Sequence, residues 1–391
     1  MTRVKDFIKK NTMFLALIFV MILFQVLITS ANKGSLFAPT NITNLINQNS
    51  YVLILATGML LCILTGGNID LSVGSVVALV GAIAGKLIVV MGMNVYLSIF
   101  ICLLTGIAIG AIHGYMIAYI RIPPFIVTLA GMMLWRGVAL LILDGLTISP
   151  FPDNYLFMFT SYLPLNPDGK GVILATTLIV GGILCLVYLA MEILNRTKKI
   201  RKGYDVNTAI AAYGKVGVIC LAVLVLSYLL GKNKGIPFVL IIVLIIVAIY
   251  SYFTAKTVPG RTLYAIGGNE KAAKLSGINT NRSLFMAYTN MSFLAAVAAL
   301  VCIARFNSAA PSAGTNYELD AIGACFIGGA SAYGGTGTVG GAVVGAIFMG
   351  VLNNGMSILG IDANWQKVVK GLVLIIAVLV DVLNKRRAKS S

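Results

Sequence analysis

The sequence predicts an all-α protein that crosses a membrane many times, and three observations predict it. Hydrophobic residues make up 59% of the 391 and charged residues only 10%, with a mean hydropathy of +0.96. A soluble domain carries roughly 25% charged residues, so the charges here are too few to cover a water-facing surface. The apolar residues fall into long uninterrupted runs, about twelve of them at roughly 20 residues per span. The formal net charge of +17 is sorted by loop. Together these exclude a soluble enzyme, a nucleic-acid binder and a disordered chain.

In order, the runs are about 11–31, 48–65, 72–91, 95–119, 125–143, 171–194, 213–231, 236–255, 284–305, 320–332, 338–358 and 367–384. The tenth is too short to cross alone and suits a half-helix, continued by the glycine-rich stretch after it. The first is too long for the apolar core of a signal peptide and has no clear cleavage site after it. Arg3, Lys5, Lys9 and Lys10 precede the first run, and Arg121 follows the fourth. Arg196, Lys198, Lys199, Arg201, Lys202 and Lys215 occupy 195–215. Lys256, Arg261, Lys271, Lys274 and Arg282 occupy 256–282, and Lys385, Arg386, Arg387 and Lys389 the tail. If every run reverses direction, all five segments share one side, with twenty of the 29 basic residues. The opposite links, 32–47, 144–170 and 306–319, hold only Lys33 and Lys170. The positive-inside rule makes the basic side cytoplasmic, with both termini there. The link 144–170, with Pro150, Pro152, Pro164 and Pro167, reads as a turn-rich cap or docking surface.

Three segments carry the chemistry. Thr65-Gly66-Gly67-Asn68-Ile69-Asp70-Leu71-Ser72 joins two apolar runs almost without a spacer. Non-helical backbone at membrane depth survives only against protein or a water-filled cavity, and an ionisable residue there points to function. Asp70 also suits an N-cap of the helix starting near Ser72, with the glycines in a tight turn; the two roles are compatible. The stretch 328–341 has seven glycines in fourteen residues. With 65–74 it forms a pair of glycine-interrupted apolar regions, the pattern of a transport pathway or of close helix packing. Thr65, Asn68, Asp70, Ser72, Ser331, Tyr333 and Thr336 are the candidate pathway or gate residues. The stripes Gly106-xxx-Gly110-xxx-Gly114 and Gly337-xxx-Gly341-xxx-Gly345 suit packing.

The third segment is the basic link around 260–278. Asn269 suits an N-cap, Glu270 a first turn and Gly277 the position after a helix, so a two-turn helix is expected over about 270–276. So short a helix is marginal alone in water. Ala272, Ala273 and Ser276 offer small side chains beside Lys271 and Lys274, which suits docking into a groove of another protein; a solvated basic loop has the same composition. The prolines of Arg121-Ile122-Pro123-Pro124 set the entry to the fifth run. Lys86 and Arg305 lie near span ends and can snorkel. Arg136 falls well inside the fifth run and suits a bundle interior or a water-filled path. The six cysteines sit singly in apolar runs and read as small buried hydrophobes. His113 is the single histidine, too little for a metal site. No phosphate-binding GxxxxGK[ST] loop, nucleophile elbow or paired catalytic carboxylates occur. A secondary transporter would need a buried titrating carboxylate, for which Asp70 is the one candidate.

GGNIDLSVGS at 66–75, RIPPFIVTLAGMMLWRG at 121–137, GRTLYAIGGNEKAAKLSGIN at 260–279 and GGASAYGGTGTVGGAVVGA at 328–346 together resemble the permease subunits of monosaccharide ABC importers of the ribose, xylose and galactose class. The resemblance covers nearly the whole chain, and the length is most like the xylose and multiple-monosaccharide members. It implies a single transmembrane domain, 1–391, with the type II importer fold: about ten core helices with re-entrant or broken segments, plus an inserted pair at 171–231. It further implies a pore formed by two permease copies in the bacterial inner membrane. The loop 256–282 would couple to an ATP-binding subunit through Arg261, Asn269, Glu270, Lys271, Ala272, Ala273, Lys274, Ser276 and Gly277. A periplasmic or lipid-anchored sugar-binding protein would deliver substrate. ATP and Mg would be held by the partner subunit, leaving this chain without an ATPase site, metal or catalytic residue. A nucleoside or branched-chain amino-acid permease is the nearest alternative.

Overall fold

The computed structural model describes residues 12–165, 167, 169–204 and 208–390. Arg3, Lys5, Lys9 and Lys10 lie outside the described residues, as do the side chains of the basic tail. The described residues form fifteen α-helices and one two-stranded ribbon, and all twelve apolar runs fall on helices.

Helix α1 is Thr12–Ser30, α2 Pro39–Leu64, and α3 Val73–Ala84, extended by a π-helical turn over Gly85–Val90. Helices α4 (Val95–Ala118) and α5 (Pro124–Leu143) follow. After a short α6 (Asp153–Thr160) come α7 (Lys170–Arg201), α8 (Ala209–Gly231) and α9 (Phe238–Lys256). Two short helices, α10 (Val258–Gly268) and α11 (Glu270–Leu275), lead to α12 (Thr280–Phe306). Helix α13 is Tyr317–Ile327, α14 is Val339–Ile358 and α15 is Ala363–Ser390. Ten of these are long and apolar enough to cross a membrane. Local sequence sets several of the starts. Asn94 accepts from the N–H groups of Tyr96 and Leu97, Asn279 from that of Arg282 and Thr338 from that of Gly341. Pro39 and Pro124 occupy first-turn positions, where their missing N–H costs nothing.

Three expectations from hydropathy need correction. Helix α2 starts at Pro39, not near 48. Its polar first turns are satisfied by α14: Asn41 Nδ2 donates to Asn354 Oδ1 at 3.0 Å, and Asn49 Nδ2 to the Ala346 carbonyl at 2.7 Å. A hydropathy window cannot see a partner 300 residues away. The link 144–170 is more than a run of turns. It contains α6 and the strand Tyr162–Leu163, which pairs antiparallel with Ile236–Pro237. Tyr155 anchors it, buried and donating to the Leu300 carbonyl at 2.7 Å. The cysteines are not all solitary. Cys185 and Cys220, both partly exposed, face one another across α7 and α8, each sulfur directed at the other's carbonyl at 3.6 and 3.9 Å. The tenth run does form a half-helix: α13 has 11 residues, about 16 Å of rise, and the chain after Ile327 leaves the helix.

Helices α2, α3, α12 and α14 form the centre and are mostly buried, whereas α7 and α8 are mostly exposed. The stripe Gly106, Gly110 and Gly114 packs α4 directly onto the backbone of α12: a side chain at Gly110 would lie 2.7 Å from the Thr289 Cα. In the interior, Lys370 of α15 pairs with Asp320 of α13 at 2.9 Å, and Tyr51 of α2 donates to the same carboxylate at 2.6 Å.

Candidate coupling and gating site

Residues 269–278 fold as the sequence suggests, and α10 before them is an addition to that reading. Asn269 caps α11 by accepting from the Ala272 N–H at 3.0 Å. Gly277 has φ +83°, and the Ile278 N–H reaches back to the Ala273 carbonyl at 3.1 Å. This is the 6→1 closure of a Schellman motif, which needs a residue free to adopt positive φ. The expected outward face is corrected. Ala273 is buried, and the exposed side of α11 carries Lys271, Ala272, Lys274, Leu275 and Ser276, with Leu275 89% exposed. The Ile278 clip turns Ala273 towards the body of the protein.

Arg121 fixes this helix. Its Nη1 pairs with Glu270 Oε1 at 2.7 Å, and Nη2 donates to Asn281 Oδ1 at 2.5 Å. In the sequence Arg121 reads only as one of the face-marking basic residues. Its pairing with Glu270 joins positions 149 apart and has no local signal. Arg261 is exposed on α10.

Helix α10 reaches both glycine-rich loops. Tyr264 Oη donates to the Gly337 carbonyl at 3.0 Å. A Cβ at Gly267 would lie 1.9 Å from the Leu64 carbonyl oxygen and 2.3 Å from the Gly335 nitrogen. The Gly335 N–H itself donates to that Leu64 carbonyl at 3.1 Å. A Cβ at Gly67 would lie 1.9 Å from the Ala332 carbonyl oxygen. Three backbones, 64–67, 332–335 and 267–268, therefore meet with no space for side chains between them. The pair of glycine-interrupted regions seen in the sequence is one contact in space, and the third partner is the basic link.

The seven candidate pathway residues divide. Thr65, Asp70, Ser72 and Ser331 are buried, Asn68 is half-buried, and Tyr333 and Thr336 are exposed. Thr65 Oγ1 donates to the Cys62 carbonyl at 2.7 Å and accepts from Asn68 Nδ2 at 3.2 Å, closing the turn. Ser331 Oγ accepts from the Tyr333 N–H at 3.0 Å, and the Ser331 N–H donates to the Thr336 carbonyl at 3.0 Å. Asp70 is not the cap residue of α3. Its Oδ1 accepts from the Ser72 N–H at 2.8 Å and from Ser72 Oγ at 2.6 Å, an Asx-type turn that delivers the chain to a helix starting at Val73.

That turn is the end of a longer chain. Trp135 Nε1 lies 2.9 Å from His113 Nε2, and His113 Nδ1 lies 3.4 Å from Ser72 Oγ. An indole N–H only donates, so Nε2 accepts and the proton of the neutral imidazole sits on Nδ1. Donation then runs one way, from Trp135 through His113 and Ser72 to Asp70. The chain ties α5, α4 and α3 to the loop that meets α10. Among the described residues no cluster of three or more His, Cys, Asp or Glu could hold a metal.

The family model described as "Branched-chain amino acid transport system / permease component" matches residues 41–378. The chain is 36% identical over 376 residues to the xylose transport system permease protein of Escherichia coli, covering 96% of this chain and 92% of that one. It is 37% identical over 375 residues to the xylose transport system permease protein of Haemophilus influenzae, covering 96% of both. It is 34% identical over 366 residues to the ribose import permease protein of Escherichia coli, covering 94% of this chain and 92% of that one. No solved structure matches the chain. With a family model matched over most of its length and ten apolar helices to cross a bilayer, the chain belongs to the transport-system permease family and is a multi-pass membrane permease.

Proposed function

We propose that this chain is the membrane-spanning subunit of an ATP-driven monosaccharide importer in the bacterial inner membrane, taking a pentose or hexose such as xylose, ribose, arabinose or galactose. The observation that carries the reading is the three-way backbone contact of α10 with both helix breaks. A link that abuts 64–67 and 332–335 without intervening side chains transmits any displacement to both, because packed backbone has nowhere to yield. In this reading, α10 and α11 lie on the cytoplasmic face, as do both termini, and dock on an ATP-binding subunit that holds ATP and Mg. Lys271, Ala272, Lys274, Leu275 and Ser276 make that contact. Closing of the ATPase pulls the glycine loops and switches the access of a pathway shared with a second copy of this chain. A sugar-binding protein loads the opposite face. The hairpin α7–α8, peripheral and mostly exposed, is an addition to the ten-helix core. This chain then carries out transport without a catalytic site of its own.

The resemblance to xylose and ribose permeases favours a sugar, whereas the family description favours a branched-chain amino acid. Uptake of labelled D-xylose, D-ribose, D-galactose and L-leucine by cells carrying the complete system separates the two. Co-purification of the ATP-binding and sugar-binding proteins with this chain tests the assembly. Uptake of L-leucine alone would replace the sugar reading.

A further inference from the structure

The loop 307–316, between α12 and α13, descends into the protein. Ala309 exchanges backbone hydrogen bonds with Ile148 at 2.9 and 3.0 Å, beside Gly85 of the π-helical turn. Five residues later, Gly314 lies against Gly74, where a Cβ would be 2.0 Å from the Gly74 carbonyl oxygen. The loop thus runs alongside eleven residues of α3, about 16 Å of helix. Arg136 stands at the same depth, twelve residues beyond Pro124 and about 18 Å along α5. Its Nη1 donates to the Ala313 carbonyl at 2.5 Å and to that of Pro311 at 3.4 Å. Non-helical backbone so deep needs a protein or aqueous partner, and α13 begins there as a half-helix.

A cavity of about 510 Å³ opens at this point, with Ser75, Met132, Arg136, Thr315, Asn316 and Glu318 among its walls. That size suits a small ligand. Two features show polar capacity that the fold leaves unused. Ser75 is 1% exposed and its Oγ has no hydrogen-bond partner. Asn316 sits at the N-cap of α13 with φ +64°, yet its side chain makes no cap bond. Glu318 lies near enough to Arg136 for their charges to interact. They do not close on each other: among the described residues the ion pairs are Arg121–Glu270 and Lys370–Asp320.

We propose that this cavity is a binding station for a neutral monosaccharide within the permease, an assignment that rests on the sugar-importer reading. Glu318 accepts from ring hydroxyls, Arg136 donates to hydroxyl or ring oxygens, Ser75 adds a hydroxyl from α3, and Asn316 adds an amide beside Glu318 at the start of α13. Met132 lies under the C–H face of the sugar. A zwitterionic amino acid would satisfy Arg136 and Glu318 but leave the buried Ser75 and the half-buried Asn316 facing an alkyl chain, and a stranded buried polar group such as the Ser75 hydroxyl is what a site rejects most strongly. A polyhydroxylated ring presents hydroxyls in every direction and strands none.

The test uses the complete transporter in cells, with uptake of labelled D-xylose and D-ribose, together with equilibrium binding of D-xylose to the full-length chain in lipid nanodiscs. Ser75→Ala and Asn316→Gly remove one polar group each; glycine tolerates the positive φ at 316, so neither strains the backbone. Glu318→Gln keeps the shape and removes the charge. The expected result is a tenfold or greater loss of D-xylose binding in nanodiscs, with half-saturation for uptake raised, at unchanged amounts of membrane-inserted protein. Wild-type uptake of sugar with all three variants binding D-xylose normally would overturn the station and leave the importer reading intact. Displacement of D-xylose by L-leucine would also overturn the station. No wild-type uptake of any sugar would overturn both. Should Glu318→Gln fail to insert, the two smaller substitutions decide the question.

Discussion

Tyr264 of α10 donates through its hydroxyl to the backbone carbonyl of Gly337, 3.0 Å away, so a helix outside the spans holds the glycine-rich break between the half-helix α13 and the span α14. Burial pushes the phenol above its ordinary value of 10.0. The stability from the protonated phenol is full below about pH 10 and is lost as the pH rises beyond it. Tyr264→Phe removes the bond and should cost about 1 kcal/mol of stability. If the importer reading holds, the expected outcome is a folded permease in which ATP hydrolysis drives less uptake per turnover, with the same ratio from pH 6 to 9. Uptake and ATPase measured side by side check it; an unchanged ratio would detach Tyr264 from coupling.

The Arg121–Glu270 pair is half-exposed, so its contribution to stability is about 0–1 kcal/mol. On the importer reading, the pair aims α11. Arg121→Ala should leave thermal unfolding within that range and weaken retention of the ATP-binding subunit. Deletion of 269–277 should abolish sugar-coupled ATPase activity while the rest remains inserted. Transport unaffected by the deletion would refute the assignment of this segment.

Asp70→Asn retains an acceptor for Ser72 but removes the charge at the end of the Trp135–His113–Ser72 chain. Transport should fall by more than the amount of protein in the membrane. If both fall equally, measured by uptake and by quantified membrane protein, Asp70 serves only the turn into α3.

Lys370→Met strands the Asp320 carboxylate in the interior, where breaking a buried pair costs about 3–5 kcal/mol. Adding Asp320→Asn removes the stranded charge, so the double variant should recover most of the thermal stability lost. Comparison of the unfolding midpoints checks this. A double variant no better than the single one would show that Tyr51 and the surrounding packing, rather than the ion pair, carry the effect.

Much of this protein was legible in one dimension because the signals are local. Apolar runs about as long as a bilayer crossing need no partner to be recognised; eleven of the twelve became long helices, and the short tenth became a half-helix. Asn269 and Gly277 act on the chain within a few residues of themselves, so α11 could be placed to within a residue or two. What sequence could not supply was adjacency. Arg121 and Glu270 lie 149 positions apart, and Asn41 and Asn354 lie 313 apart; no spacing rule connects them. Arg136 falls inside an apolar run and suits a bundle interior, but nothing in the sequence shows that the link 306–319 descends to receive it.

The sequence by itself determined that the chain is an all-α membrane protein, where its helices break and which link is basic, since hydropathy, glycine and charge act locally. Only the tertiary structure decided that both glycine breaks and that link meet in one backbone contact, that Ala273 faces inward while Leu275 faces out, and that Ser75, Arg136 and Glu318 share a cavity. The physical reason is that close approach and unmet hydrogen bonds are properties of pairs, and pairs exist only once the helices have packed.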